Sequence, residues 1–325
     1  MKQRFFRSAT GRGVFAAGLL VLLALCGVFS LTVGAVSIPW QDWNMNNIIL
    51  REIRLPRTIL GIFTGAVFAV SGAILQGIMR NPLASPGILG VSAGGGLAGL
   101  LALLAFPGII PLLPAVSFAG SFLAAILVYL LAWKRGIDPV RLILSGVAVS
   151  AMLNAFSSGL LLCFPEKAGQ VLDFAIGSLA MKSSADLKLL LPYMILALTA
   201  SFLFSGKLNI LELGDETASN LGLSLERDRI ILLALASLLA GTGVSAAGLL
   251  GFVGLIAPHI VRFIIGSDHR YLLPCSALAG GALVVFCDTA GRILRPPTEL
   301  PAGLMLALLG PVFFLWLLRR EHHHA

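Results

Sequence analysis

The stretch Arg80–Gly90, RNPLASPGILG, separates two long apolar segments of the chain. It contains Asn81-Pro82 and Ser85-Pro86 followed by two glycines, and a residue that precedes proline disfavours the α-helical conformation. Non-helical backbone at membrane depth is tolerated only where it is buried in protein or lines a cavity. The stretch therefore predicts a non-helical turn at the inner mouth of a membrane-embedded structure.

The composition of the whole chain is that of a membrane protein. Its 325 residues are 58% hydrophobic and only 12% charged, whereas soluble domains carry about 25% charged residues. The 36 glycines fit this class, because small residues allow membrane helices to pack closely. We expect an all-α polytopic membrane protein in which residues 1–325 form a single transmembrane domain.

Apolar runs divide this domain into ten predicted spans. One of them, 252–266, is short and interrupted by Pro258, His259 and Arg262. Counting it gives an even number, which places both termini in the cytoplasm and most of the 23 lysines and arginines on that side, as the positive-inside rule requires. The predicted spans are 14–36, 58–79, 88–106, 109–133, 140–164, 187–206, 229–250, 252–266, 271–294 and 303–318. A further apolar segment, 170–181, is too short to span and predicts a partial helix at one interface.

The largest polar interval, 207–228, lies between the sixth and seventh predicted spans. It carries the acidic cluster Glu212, Asp215 and Glu216. Antiparallel helices need only about 2–8 connecting residues, so the interval is too long for a simple connector. Its pattern predicts a short helix, a glycine turn and a second short helix that together dock another cytoplasmic protein.

The sequence lacks the motifs of an ATP-hydrolysing enzyme. The glycine-rich stretch VSAGGG, residues 91–96, has neither the lysine nor the hydroxyl of a phosphate-binding loop. If the chain belongs to a pump, the energy comes from an ion gradient or from a separate ATPase. Gradient-driven carriers usually need ionisable residues at mid-membrane, and the candidates Asp288, His259 and Arg262 all lie near predicted span ends. They are better explained as capping or interhelical hydrogen-bonding residues, which favours the separate ATPase.

Five arginines lie on the predicted outer side, where the positive-inside rule disfavours them. Arg51, Arg54 and Arg57 belong to LREIRLPRTIL, and Arg292 and Arg295 lie at a second outer corner. One interpretation is that their side chains extend to lipid phosphates. The other is that they bind carboxylates on an external protein.

Four long segments resemble the FecCD-type permease family of ABC importers, which import iron-siderophores, haem and cobalamin. They are RLPRTILGIFTGAVFAVSGAILQGIMRNPLASPGILGVSAG, LGDETASNLGL, GLLGFVGLIAPHIVRFIIGSDHRYLLP and ELPAGLMLALLGPVFF, in that order from about residue 50 onwards. The resemblance implies a type II importer permease fold with ten transmembrane helices, some short or broken. It also implies a homodimer, or a dimer with a close paralogue, that works with two ATPase subunits and an external substrate-binding protein.

The resemblance implies roles for three sets of residues. Docking of the binding protein falls to Arg54, Arg57 and Arg292. Coupling to the ATPase falls to Leu213, Gly214, Asp215, Glu216, Ser219, Leu221 and Gly222, with Asp215, Glu216 and Ser219 exposed on a short helix between two glycine turns. The cytoplasmic gate falls to Asn81, Leu83, Ser85, Arg141 and Ser145.

The expected function is that of a permease subunit in the cell membrane that translocates a metal chelate. A ferric siderophore is the first candidate, and haem and cobalamin follow. No catalytic residue, metal site or nucleic-acid partner is expected in this chain, since ATP and magnesium bind the partner ATPase. The alternative is a secondary transporter driven by an ion gradient. The terminal EHHHA is assigned no role.

Overall fold

The computed structural model describes residues 6, 8–34, 47–132, 139–296 and 298–321. In these ranges the chain is helical, and ten apolar helices follow one another in the predicted order. They are α1 Ala9–Thr32, α2 Leu55–Met79, α3 Val91–Ala105, α4 Leu113–Ala132, α5 Pro139–Cys163, α7 Ser184–Leu203, α10 Leu225–Ala247, α11 Val253–Ile265, α12 His269–Leu294 and α13 Ala302–Glu321. Residues 322–325, with the histidines of the tail, lie outside the described residues.

Seven of the ten helices are long and apolar enough to cross a membrane by length and composition. The three shorter ones are α3, α11 and the apolar part of α13, Ala302–Leu315. Both α3 and α11 begin after a non-helical break, at 80–90 and at 248–252, which replaces the first turns of the span. The prediction of ten helices with short members is therefore confirmed.

Among the described residues, three further α-helices connect the spans. α6, Pro165–Ile176, starts earlier than the predicted partial helix because Pro165 occupies its first turn, where a missing N–H costs nothing. α8, Ser205–Glu212, and α9, Asp215–Asn220, form the predicted pair of short helices. Gly214 joins them with φ +104°, a conformation that L side chains rarely adopt.

The centre of the bundle is α2, and 83% of its most apolar 18-residue stretch is buried inside the protein. Glycines bring it into backbone contact with its neighbours, Gly65 with Gly280 of α12 and Gly72 with Gly254 of α11, so closely that an added Cβ would overlap the facing backbone. By contrast, only 6% of the most apolar stretch of α1 and 17% of that of α5 are buried within the chain. Both helices therefore present surfaces for lipid or for another protein.

The two ends of the bundle differ in the elements that they carry. The end with the start of break 80–90 and with α8 and α9 is called the inner end, following the predicted orientation. The outer end carries the short π-helix Ile49–Arg54, α6 and the end of α12.

Candidate functional site

At the inner end, α2 stops at Arg80, which adopts the left-handed conformation with φ 48°. The Asn81 side-chain oxygen then accepts a hydrogen bond from the Leu83 N–H at 2.9 Å, and the Ser85 hydroxyl accepts one from the Ile88 N–H at 3.3 Å. The predicted non-helical turn at Arg80–Gly90 is confirmed. Asn81 and Ser85 stabilise it because their side chains satisfy backbone donors that a helix would have paired.

This turn packs against the first half of α5. An added Cβ at Gly146 would lie 2.8 Å from the Ile88 carbonyl oxygen, and the Ser150 hydroxyl donates to the carbonyls of Gly87 and Ile88 at 3.2 Å. A cavity of about 300 Å³ remains between the two elements. Its lining residues are Met79, Asn81, Leu83, Ala84, Ile88, Leu89, Leu142, Ile143 and Val147.

The structure therefore brings the break and α5 together, as the predicted gate requires. Asn81 and Leu83 line the cavity, and Leu83 is 49% exposed. Ser85 is buried within the turn, while Arg141 is exposed and Ser145 half-buried on α5. The gating role of these five residues stays a prediction.

The residues predicted to couple the chain to an ATPase lie around α9 and the turn that precedes it. Leu213, Glu216, Ser219, Leu221 and Gly222 are exposed, and Gly222, with φ +86°, forms the second predicted turn. The inner end of the bundle therefore presents an exposed surface of mixed apolar and polar residues.

Asp215 is partly exposed, with a side chain 36% exposed, and it is also paired with two arginines. Its Oδ1 accepts hydrogen bonds from Arg80, where the break begins, and from Arg229 Nη2 at the start of α10, the latter at 2.7 Å. Arg229 is buried. The sequence shows both arginines, but their pairing with Asp215 depends on the fold, because Arg80 is 135 residues away along the chain.

A second polar cluster joins α8 to the membrane helices. Asn209 donates to Asp268 at 2.8 Å, and Arg12 of α1 donates to the other Asp268 oxygen at 3.1 Å. Burial works to raise the pKa of Asp268, but the hydrogen bonds from Asn209 and Arg270 and the charge of Arg12 outweigh it and hold this pKa below its usual value. The cluster anchors α8 to the N-terminus of α12 and to α1.

Beside this cluster, Glu212 lies at the end of α8 near Arg262 of α11. Burial raises the pKa of the Glu212 carboxyl, and the charge of Arg262 offsets part of that shift. Arg262 Nη1 donates to the Gln76 side chain at 2.8 Å. The interpretation of Arg262 as an interhelical hydrogen-bonding residue is confirmed.

At the outer end, Arg57 forms a buried ion pair with Asp288 of α12. Its Nη2 and Nε donate to the two carboxylate oxygens at 2.8 and 3.0 Å, and its Nη1 donates to Glu299 at 2.5 Å. Asp288 thus acts as an interhelical partner, as its place near a span end suggested. Bidentate pairs of this kind are geometrically specific and strong.

Arg54 and Arg292 hold the end of α1 at the same outer corner. Arg54 Nη1 donates to the carbonyl oxygens of Leu31 and Thr32 at 2.7 and 3.0 Å, while Arg292 Nη2 donates to the Ser30 hydroxyl at 2.6 Å. Arg54, Arg57 and Arg292 are only 4, 6 and 3% exposed. They lie at one corner, whereas the sequence predicts a second outer corner for Arg292, and they are not the exposed charges that simple docking or lipid contact would use.

The exposed arginines of this corner are Arg51, with a side chain 68% exposed, and Arg295. The sequence places both on the outer side, but the family resemblance assigns docking to their buried neighbours Arg54, Arg57 and Arg292. The local sequence RLPR, residues 54–57, does not indicate that its arginines are buried, because the acidic partners of Arg57 lie more than 200 residues further along the chain.

The sequence of this chain is similar to those of known transport permeases. It is 41% identical to the Fe(3+) dicitrate transport system permease protein FecD of Escherichia coli over 93% of this chain and 97% of the relative. It is 40% identical to the Fe(3+)-citrate import system permease protein YfmE of Bacillus subtilis, over 93% and 94%. It is 38% identical to the hemin transport system permease protein HmuU of Yersinia pestis, also over 93% and 94%.

A solved structure agrees with this similarity. A metal-chelate type ABC transporter in an inward-facing conformation superposes with a TM-score of 0.83 at 31% identity, covering 94% of this chain and 98% of the other. The sequence profile of the FecCD transport family matches residues 22–320. Because this match covers nearly the whole chain and the relatives align along almost their full length, the chain belongs to the FecCD transport family.

Proposed function

We propose that this protein is the membrane-spanning permease subunit of an ABC importer that translocates a metal chelate. The observation that carries the proposal is the position of Asp215. It lies at the start of the short helix α9 at the inner end, and it binds Arg80, the first residue of the turn Arg80–Gly90, which is called the gate turn below. A movement of α9 imposed by an ATPase therefore acts directly on the turn that packs against α5.

The partner ATPase supplies the energy in this proposal. ATP and magnesium bind there, and the exposed residues Leu213, Glu216, Ser219 and Leu221 enter a cleft on its surface. Gly214 and Gly222 let the chain turn sharply at each end of α9. The ion pairs of Asp215 with Arg80 and Arg229 then transmit the displacement of α9 to both the gate turn and α10.

The first candidate for the cargo is a ferric citrate chelate. FecD, YfmE and YfmD, at 41, 40 and 36% identity, are all named for ferric citrate. Relatives named for iron(3+)-hydroxamate and hemin follow at 38%, and one named for cobalamin is 42% identical over 84% of this chain. Hydroxamate siderophores, haem and cobalamin are therefore the next candidates.

The permease works as a dimer in this proposal. α5 is the helix on which the gate turn packs, and it is largely uncovered within one chain, so a second subunit facing it would enclose the route between them. Bacillus subtilis has two different proteins, YfmE and YfmD, named as permeases of an Fe(3+)-citrate import system. The second subunit is accordingly either another copy of this chain or a paralogue.

The outer corner docks the substrate-binding protein. The exposed side chains of Arg51 and Arg295 make the first contacts with carboxylates of that protein. This corner is stabilised by hydrogen bonds of Arg54 and Arg292 to α1 and of Arg57 to Asp288 and Glu299. Both chain termini lie in the cytoplasm.

Reconstitution tests the proposal. Proteoliposomes that contain the permease, its ATPase and the binding protein should accumulate radiolabelled ferric citrate only when ATP is supplied, and an ionophore should leave this uptake unchanged. Uptake that an ionophore abolishes and ATP depletion spares would instead show an ion-gradient-driven transporter. A screen with ferric hydroxamates, haem and cobalamin in the same vesicles identifies the preferred chelate.

A further inference from the structure

The segment between α6 and α7 at the outer end carries a strongly exposed apolar side chain. Met181 is 94% exposed. Its backbone has φ 60°, in the left-handed region that residues other than glycine rarely occupy. Backbone in a sparsely populated region persists only where the surrounding structure fixes it, and it is frequent at functional sites. Met181 therefore combines an unusual backbone conformation with an uncovered thioether side chain.

The residues before Met181 are fixed to the helix bundle. The Ser178 N–H donates to the carbonyl of Ala247, the last residue of α10, at 2.8 Å. The Ser178 hydroxyl accepts a hydrogen bond from the Ala180 N–H at 3.0 Å. Leu179 is fully buried and packs against the second turn of α2. The chain therefore reaches Met181 from an anchored position.

The residues after Met181 are fixed as well. Ser183 and Asp186 form a capping box at the start of α7. The Ser184 hydroxyl donates to the carboxylate of Glu52, in the short outer π-helix, at 2.8 Å. Because the chain is held on both sides, the backbone at Met181 loses little conformational entropy when a partner binds there.

The position of this segment indicates what can cover Met181. Leu179 rests on α2, the central helix, so Met181 lies over the end of the bundle and not on the flank, where α1 and α5 are uncovered. Lipid and a neighbouring subunit reach the flank, whereas an external protein reaches the outer end. Glu52 also lies 3.4 Å from the exposed Arg51. The same outer surface thus combines an apolar side chain with a cation.

We propose that Met181 is the apolar anchor with which the outer end docks the substrate-binding protein, and that the fitting partner surface is an apolar pocket rimmed by carboxylates. The inference rests on the proposed function and adds an apolar contact to the exposed arginines. A few well-packed anchors carry most of the binding energy of a protein interface, whereas rim charges act mainly on the association rate. Methionine suits this role because its flexible side chain adapts to irregular pockets.

Oxidation of the native side chain tests what covers Met181. Peroxide converts an accessible methionine to its sulfoxide, and mass spectrometry follows the peptide that contains it. In lipid nanodiscs that hold the permease and its ATPase, Met181 should be oxidised rapidly. Binding protein at about ten times its Kd should slow this oxidation about tenfold, because only the unbound fraction reacts. Slow oxidation before the binding protein is added, or an unchanged rate afterwards, would overturn the inference.

Two substitutions remove the apolar side chain without straining the backbone. Glycine and asparagine tolerate the left-handed region, so Met181→Gly and Met181→Asn should melt close to the wild-type temperature. Each should raise the dissociation rate of the binding protein about tenfold, as expected for an anchor residue, and leave the association rate and its salt dependence unchanged. The matched control is Met181→Leu, which keeps an apolar side chain of similar volume and should dissociate within about twofold of the wild-type rate.

The outcomes separate this inference from the proposed function. Wild-type dissociation rates in both Met181→Gly and Met181→Asn would overturn the anchor and leave the importer intact. Reduced uptake with an unchanged dissociation rate would mean that Met181 contacts the chelate or another subunit, which also overturns it. If the wild-type permease neither binds the binding protein nor imports any chelate, the proposed function fails and this inference fails with it.

Discussion

At the inner end, a single carboxylate oxygen of Asp215 is shared by Arg80 and Arg229. Asp215→Asn keeps the shape of the side chain and removes its charge, so the link between α9 and the gate turn weakens. We expect ATP hydrolysis to continue while chelate uptake per ATP falls several-fold. The matched control is Glu216→Gln, the exposed neighbour in the same turn. Equal effects of the two variants on the ratio of uptake to hydrolysis would contradict the assignment.

The outer arginines separate into buried and exposed sets, and charge reversal should distinguish them. Arg57→Glu would bring a third carboxylate next to Asp288 and Glu299, and breaking a buried ion pair costs about 3–5 kcal/mol. We expect little folded protein in the membrane fraction. Arg51→Glu, at an exposed position, should fold normally and yield normal amounts of protein.

The exposed set is tested through docking. A variant with Arg51→Glu and Arg295→Glu should bind the substrate-binding protein more slowly, because exposed charges act mainly on the association rate. Raising the salt concentration should narrow the difference from the wild type as these charges are screened. If the affinity for the binding protein depends on salt concentration in the same way for the variant and the wild type, the two arginines contact the membrane surface instead.

Among the connecting elements, the turn between α8 and α9 depends on one glycine. Gly214 has φ +104° and ψ 158°, a region that is essentially restricted to glycine and costs about 1–3 kcal/mol for other residues. Gly214→Ala should therefore shift α9 and uncouple ATP hydrolysis from uptake, with expression unchanged. Gly206→Ala in α8, where an added Cβ meets open space, is the control and should transport normally. Coupled transport at the wild-type ratio in Gly214→Ala would count against the turn as the coupling element.

The junction between α8 and α11 should respond to pH through Glu212. Burial raises the pKa of this carboxyl in the folded protein, so the folded state binds a proton more readily than the unfolded chain does. Stability from this group is therefore greatest below its ordinary pKa and falls as the pH rises through the raised value. Glu212→Gln should melt at a higher temperature than the wild type at neutral pH, and the difference should shrink on acidification. A constant difference at all pH values would exclude the raised pKa as its cause.

Over the whole molecule, the order and number of the apolar helices follow from hydrophobic run lengths and the positive-inside rule, and the turn at Arg80–Gly90 follows from its prolines. The pairing of charges does not follow, because Arg57 with Asp288 and Arg80 with Asp215 are contacts between residues 231 and 135 positions apart. The sequence places such residues near the correct end of the bundle. Whether each is buried depends on helix packing, which is set by close glycine contacts such as Gly65 with Gly280.

The orientation of the whole chain can be tested with fused reporters. A green fluorescent protein attached at the C-terminus should fluoresce, because the even number of spans returns it to the cytoplasm. An alkaline phosphatase inserted between α6 and α7, near Ser183, should be active on the outer side. The opposite pattern, with a silent C-terminal fluorophore and an inactive phosphatase, would reverse the assignment of inner and outer ends.

The shortness of α11 bears on how the protein enters the membrane during synthesis. Its 13 residues extend about 20 Å at 1.5 Å per residue, whereas the hydrocarbon core is about 30 Å thick. The non-helical residues 248–252 must make up the difference, and their backbone polar groups are stable at that depth only against other protein. α11 therefore cannot partition into lipid as an independent helix on leaving the translocon. α11 is stable in the membrane only once it packs against Gly72 of α2, which is already inserted. Its insertion is therefore coupled to the packing of the helices.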